Sequence, residues 1–221
     1  MRAAAAAARR RPIVLALPKG RVHEEAVGLF ARAGFDLHAT LGDTRQLVHD
    51  VAGLRVLVVR SSDVPTYVEH GAADLGVAGR DVLEEEDPDV YQPLDLGIGV
   101  CRLSVAEPED HPVDERALRH LRIATKYPHL TRRYLETRGL FAEIIKLSGA
   151  IELGPLTGLA DRILDLVSSG QTLRANRLRE VEVVMPVTSR LVVNRASLKL
   201  RGDEIDVIVR RLRKALVAGV R

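Results

Sequence analysis

The feature that most constrains this chain is the regular exchange of two hydrophobic periods. Apolar runs of strand length alternate with stretches whose apolar residues recur every three or four positions, and that alternation specifies an α/β fold. Ile13–Leu17 reads as a buried strand broken by Pro18-Lys19-Gly20. Val22–Ala33 follows as a helix with Val22, Ala26, Leu29, Phe30 and Ala33 on one face and Gly34 as its stop. Leu54–Val59 is a second buried strand, leading to a short helix with Asp63 as cap, Pro65 in its first turn and Gly71 at its end. Asp74–Ala78 and Tyr91–Leu96 complete this first set of strands.

Near Cys101 the pattern restarts. Strands are expected at Cys101–Ala106, Leu121–Thr125, Phe141–Leu147, Asp161–Val167, Val181–Met185 and Arg190–Asn194. Helices are expected at His129–Arg138, Pro155–Leu159 and Asp203–Val217, the last with Ile205, Ile208, Val209, Leu212 and Leu216 on one face. Gly71-Ala72-Ala73-Asp74 and Gly158-Leu159-Ala160-Asp161 both read Gly-x-Ala-Asp, a turn that delivers an acid to a strand start. The restart and this echo favour two similar α/β lobes facing each other across a cleft. The expected division is a mobile tail over residues 1–11, a first lobe from 12–102 plus 185–221, and a second from 103–184. No Pro/Gly/Ser-rich linker separates them, so crossing strands should join them.

Composition narrows the function. Of the 221 residues 46% are apolar and 29% charged, which excludes a compositionally disordered chain. Aromatics are only 3%, poor material for stacking bases, and the net charge of +3 comes from scattered residues, so no nucleic-acid partner is expected. The slight basic excess suits small anionic substrates. No apolar run reaches membrane-spanning length, and the alanine–arginine N-terminus is too short in its apolar part for a secretory leader. A single cysteine, Cys101, fits a buried apolar position and a reducing cytoplasm. The seven histidines show no metal-ligand spacing, so no protein metal site is expected, and Glu84-Glu85-Glu86-Asp87 reads as a solvated helix end.

Two loops can carry chemistry. Ile163–Val167 is an apolar strand bearing one acid, Asp165, and it opens into Ser168-Ser169-Gly170-Gln171-Thr172-Leu173. Gly170 permits close backbone approach, while amides and hydroxyls supply donors for a single phosphate monoester. An acid followed by such a nest suits a ribose 5-phosphate gripped at both ends; an ordinary turn with Ser169 or Thr172 capping a helix is the alternative. Pro18-Lys19-Gly20-Arg21 places two cations and a glycine at a helix start, suited to pyrophosphate or to a plain solvated turn. Arg45 and Arg60 lie by strand ends, where ligands collect in open α/β sheets. No Walker or dinucleotide glycine motif is present.

Leu17-Pro18-Lys19-Gly20-Arg21, Asp63–Glu69, Gly71–Val77, Leu94–Gly97 with Cys101-Arg102-Leu103, Ala124–Pro128, Lys146–Gly149 and above all the segment Glu152–Leu173 resemble the ATP phosphoribosyltransferase family. The resemblance covers about residues 13–200. It implies a two-lobed fold like that of periplasmic binding proteins, with the active site in the cleft. It also implies transfer of a phosphoribosyl group from phosphoribosyl pyrophosphate to N1 of ATP, the first step of histidine biosynthesis, with Mg2+ carried by the polyphosphate substrates. By motif, Glu152 and Asp165 would hold the ribose hydroxyls and residues 168–173 the 5-phosphate. Arg21 and Arg45, with Lys19 and Gly20, would lie near the polyphosphate. The chain ends soon after its last helix, which under this resemblance implies the short form: no C-terminal regulatory domain, a separate subunit related to histidyl-tRNA synthetase, and a hetero-oligomer. A two-lobed ligand sensor without catalysis, or transfer to another base, are the alternatives.

Overall fold

The computed structural model describes residues 11–42, 45–113 and 120–218. They fall into two units: residues up to 79 with Pro88–Ile98 and Ser189 onward, and Arg80–Asp87 with Gly99–Thr188. Residues 80–87, 99–102 and 185–188 thus group with the second unit, whereas sequence patterning assigns them to the first. Of the expected tail, residues 1–10 lie outside the described residues, as do residues 219–221. Arg11 is not loose: its guanidinium sits 2.9 Å from the buried Asp74 carboxylate.

The first unit is built on a six-stranded sheet. Its strands are β1 (Ile13–Pro18), β2 (Val48–Val51), β3 (Leu54–Val59), β4 (Leu75–Gly79), β5 (Val90–Asp95) and β11 (Ser189–Asn194), in the order β2-β3-β1-β4-β11-β5. β1 pairs in parallel with β3 and β4, which explains why all six of its residues are buried. α1 (Arg21–Arg32), α2 (Val64–Glu69), α7 (Arg195–Leu200) and α8 (Gly202–Ala218) belong to this unit. Phe30, Leu29 and Ala26 from α1 and Ile205, Ile208 and Leu212 from α8 join Leu15, Leu17, Val56 and Leu75 in one core. The i, i+3, i+4 spacing on both helices produces this face directly.

The second unit has five strands, β6 (Cys101–Pro108), β7 (Leu121–Thr125), β8 (Ala142–Lys146), β9 (Arg162–Val167) and β10 (Leu178–Val187), in the order β10-β6-β9-β7-β8. α3 (Arg80–Glu86), α4 (Pro128–Arg138), α5 (Leu153–Leu156) and α6 (Gln171–Ala175) accompany it. β7 is parallel to β8 and β9, and β6 is antiparallel to β9 and β10. In the first unit β1 is parallel to β3 and β4, and β11 is antiparallel to β4 and β5. The two sheets therefore repeat one plan, three parallel strands followed by an antiparallel fourth.

The Gly-x-Ala-Asp echo is part of that plan. Gly71 and Gly158 have φ of 72° and 71°, the left-handed turn that glycine takes without steric cost. The Asp74 amide donates to the Val14 carbonyl, and its carboxylate accepts from the Val14 amide at 2.9 Å. The Asp161 amide likewise donates to the Arg122 carbonyl, and its carboxylate accepts from the Arg122 amide at 2.8 Å. Each acid clamps its strand to the parallel neighbour.

Three local expectations are corrected. Asp63 stands at the α2 N-cap position but makes no capping hydrogen bond through its side chain; its carboxylate accepts from the Ser62 hydroxyl instead. The acidic run is not merely solvated, since the half-buried Glu85 accepts hydrogen bonds from the amides of His129 and Leu130 at the start of α4. Cys101 is half-buried rather than fully enclosed. Among the described residues no helix is long and apolar enough to cross a membrane.

Candidate active site

β9 carries Asp165 at the middle of its five-residue pairing with β6, opposite Ser104. Beyond Val167 the chain turns at Gly170, whose φ of 73° is left-handed, and enters α6. Leu173 is buried with Ile163, Val167 and Leu178, so its side chain anchors α6 and only its backbone is available to a ligand. Amides in the first turn of a helix have no intrahelical partner. Residues 165–173, with Glu152, Ser104, Ala106 and Ile163, line a cavity of about 150 Å³. Ser168, Ser169, Gln171 and Thr172 are exposed at its rim. The loop is thus a nest of donors that shares its cavity with two carboxylates.

Burial pushes the Asp165 carboxyl up to about 6; the Leu166 amide opposes this, the neighbouring Glu152 adds to it, and Lys126 partly offsets it. Asp165 is therefore ionised at neutral pH at a cost, which makes it a strong acceptor for hydroxyls and a strong electrostatic partner for a cation. Close by in the same unit, the Tyr127 hydroxyl donates to Asp81 at 2.8 Å, and burial and the adjacent carboxylate raise its proton affinity. The Thr125 hydroxyl donates to the carbonyl of Leu164, tying the β7–α4 turn to the residue before Asp165.

Side chains that sequence reasoning did not single out brace the loop. The Arg102 guanidinium donates to both carboxylate oxygens of Glu180 and, at 3.1 Å, to the carbonyl of Ser168. The Ser104 hydroxyl donates to the same Glu180 at 2.7 Å. Arg174 donates to the carbonyl of Ser169 at 3.2 Å. Arg102 and Glu180 lie 78 positions apart, and only the β6–β10 pairing joins them.

The first unit holds the other candidates. Lys19 and Gly20 line a cavity of about 210 Å³ with His23, Glu24, Thr40, Leu41, Gln46 and Val58. Gly20 adopts φ 89° and ψ −153°, a conformation essentially reserved for glycine, so the turn needs that residue. The Thr40 hydroxyl donates to the Leu37 carbonyl and so accepts from Nε2 of the buried His23 at 2.8 Å. Burial and then the neighbouring His49 hold His23 below the usual imidazole range. Arg21 opens α1, is half-exposed and lies 3.5 Å from Glu25. Arg45 and Arg60 are exposed. None of these three arginines lines the cavity that Lys19 and Gly20 share.

Two sheets of one plan, one carrying an acid-lined cavity, define an α/β protein with the periplasmic-binding-protein type of fold. The substrate-binding protein of an amino acid ABC transporter superposes with a TM-score of 0.61 over 94% of both chains, at 12% identity, a likeness of fold alone. The chain belongs to the ATP phosphoribosyltransferase family, whose profile (HisG) matches residues 60–214. A relative from Acidithiobacillus ferrooxidans named ATP phosphoribosyltransferase is 54% identical over 205 residues, 90% of this chain and 95% of that one. The structure titled "ATP phosphoribosyl transferase (HisG:HisZ) complex from Thermotoga maritima" superposes with a TM-score of 0.79 at 31% identity, covering 93% of this chain and 99% of that one.

Proposed function

We propose that this chain is the short-form catalytic subunit of ATP phosphoribosyltransferase. It joins N1 of the ATP adenine to C1 of phosphoribosyl pyrophosphate, releases pyrophosphate, and so opens histidine biosynthesis in the cytoplasm. The observation that carries this reading is the single cavity that Asp165 and Glu152 line together with the loop 168–173. In that reading the loop amides and hydroxyls take the 5-phosphate, and the two carboxylates take the ribose hydroxyls. Adenine N1 is a weak neutral nucleophile, so C1 must become cationic as pyrophosphate departs. A half-buried carboxylate at the ribose end favours that charge, and positioning with electrostatic stabilisation suffices without a covalent intermediate. Arg21, Arg45, Lys19 and Gly20 are assigned to the polyphosphate, the arginines through their planar multidentate donors.

Mg2+ fits this donor set as a passenger of the substrate. No three His, Cys, Asp or Glu residues gather as a cage among the described residues. Mg2+ keeps several waters and is held largely by substrate phosphates, so it would travel on the polyphosphate while Asp165 and Glu152 remain on the ribose hydroxyls. The ion would neutralise charge on the leaving pyrophosphate. The proposed partner is a synthetase-like regulatory subunit in a hetero-oligomer; that the Thermotoga maritima structure is titled a HisG:HisZ complex supports pairing with a second subunit.

The test is to incubate the purified chain, with and without that subunit, with ATP, phosphoribosyl pyrophosphate and Mg2+. Formation of the N1-phosphoribosyl adduct and stoichiometric pyrophosphate is expected. Turnover with another base in place of ATP, or none with the subunit present, would overturn the proposal.

A further inference from the structure

The two sides of the phosphate loop are treated differently by the protein. In a trans peptide the carbonyl and the following amide point in opposite directions. The carbonyl of Ser168 points at Arg102 and that of Ser169 at Arg174, so the amides of Ser169 and Gly170 point away from those guanidinium groups. Arg102 cannot swing freely, because Glu180 holds it through both carboxylate oxygens and Ser104 holds Glu180. We propose that Glu180 and Arg102, assisted by Arg174, are positioning residues that fix the peptide orientation of the loop, and with it the direction of the amides offered to a sugar phosphate. This rests on the reading of the loop as the phosphoribosyl site.

A plain electrostatic role makes the opposite prediction for one variant. If Arg102 acted only as a cation drawing in phosphate, neutralising Glu180 would remove a competing negative charge and tighten binding. If the pair positions the loop, Glu180→Gln releases one end of the Arg102 brace and weakens binding although the site becomes more positive. Arg102→Lys keeps the charge but loses the planar fork that spans Glu180 and the Ser168 carbonyl, and it should weaken binding too.

The experiment measures binding of ribose 5-phosphate, phosphoribosyl pyrophosphate and ATP to the whole chain by calorimetry, with KM and kcat in the presence of the partner subunit. For Glu180→Gln and Arg102→Lys the affinity for both ribose phosphates should fall about tenfold, the scale of one weakened hydrogen bond to a charged group. ATP affinity should stay within about twofold, and KM for phosphoribosyl pyrophosphate should rise more than kcat falls. Arg174→Gln, at an exposed position, should give a smaller loss of the same kind and stands in if Arg102→Lys does not fold. Unchanged or tighter ribose-phosphate binding in folded variants would overturn the positioning role. So would a lowered melting temperature with the ratio of the affinities intact, since that marks a strand-to-strand contact only. If the wild-type chain binds the ribose phosphates but does not use ATP, the proposed reaction fails and the positioning role stands. If it binds neither ribose phosphate, both fail.

Discussion

In the proposed reaction Asp165 trades stability for chemistry. Its folded-state value, raised by burial to about 6 against the ordinary 3.8, means that between those pH values the folded protein holds a proton the unfolded chain has released. Its contribution to stability is therefore intact below about 3.8 and is lost as pH rises through 6. Asp165→Asn should be more stable than wild type above pH 6, by about 1–2 kcal/mol once solvent screening reduces the full effect of the shift. That gain should vanish near pH 4, as thermal melts at both pH values would show. The same variant should lose roughly 2–4 kcal/mol of transition-state stabilisation, read in kcat/KM for phosphoribosyl pyrophosphate. A second residue-scale expectation concerns Gly170→Val. A β-branched side chain at φ 73° costs about 1–2 kcal/mol, and its Cβ would lie 3.2 Å from the Arg174 guanidinium. Sugar-phosphate binding should fall by more than tenfold while the melting temperature falls by only a few degrees; calorimetry giving wild-type affinity would remove the loop from the site.

At the scale of elements, the two strand clamps permit a paired comparison. Asp74 is fully buried and also accepts from Arg11, Ser197 and Arg201, whereas Asp161 is partly exposed and is served by Arg122 and its amide. Asp74→Ala leaves Arg201, a largely buried guanidinium, with one of its acids gone and should cost about 3–5 kcal/mol. Asp161→Ala should cost about 1–2 kcal/mol, and equal losses in denaturant titrations would contradict the burial argument. These clamps were legible in the sequence as an echo, because glycine and aspartate at fixed offsets report local backbone needs. β2 was not legible. Its hairpin with β3 turns at Ala52-Gly53, both at positive φ, and alanine in the first position conceals a turn usually signalled by Asn, Asp or Gly. α7 was missed although its signal is present, since Asn194 caps it by accepting from the Ser197 amide. The Asp165–Leu173 loop was readable because strand, acid, glycine and helix start are contiguous. Its brace was not, because Arg102 and Glu180 meet only through strand pairing.

For the whole molecule the order of strands matters more than any contact. Residues up to 108 supply β1 to β5 to the first sheet and then β6 to the second; residues 121–194 supply β7 to β10 to the second sheet and then β11 to the first. Each half of the chain gives away its last strand and receives one, and β11 sits between β4 and β5 while β6 sits between β9 and β10. Neither half holds a complete sheet. Two fragments divided within residues 109–120 should each fail to fold alone, yet recover the circular dichroism of the intact chain when mixed; a fragment that folds by itself would refute this. In that light the covalent join between the two halves has a role of its own. It keeps one half in the presence of the other at millimolar effective concentration, and doubling its length with Gly and Ser should cost only about 0.6 kcal/mol of closure entropy.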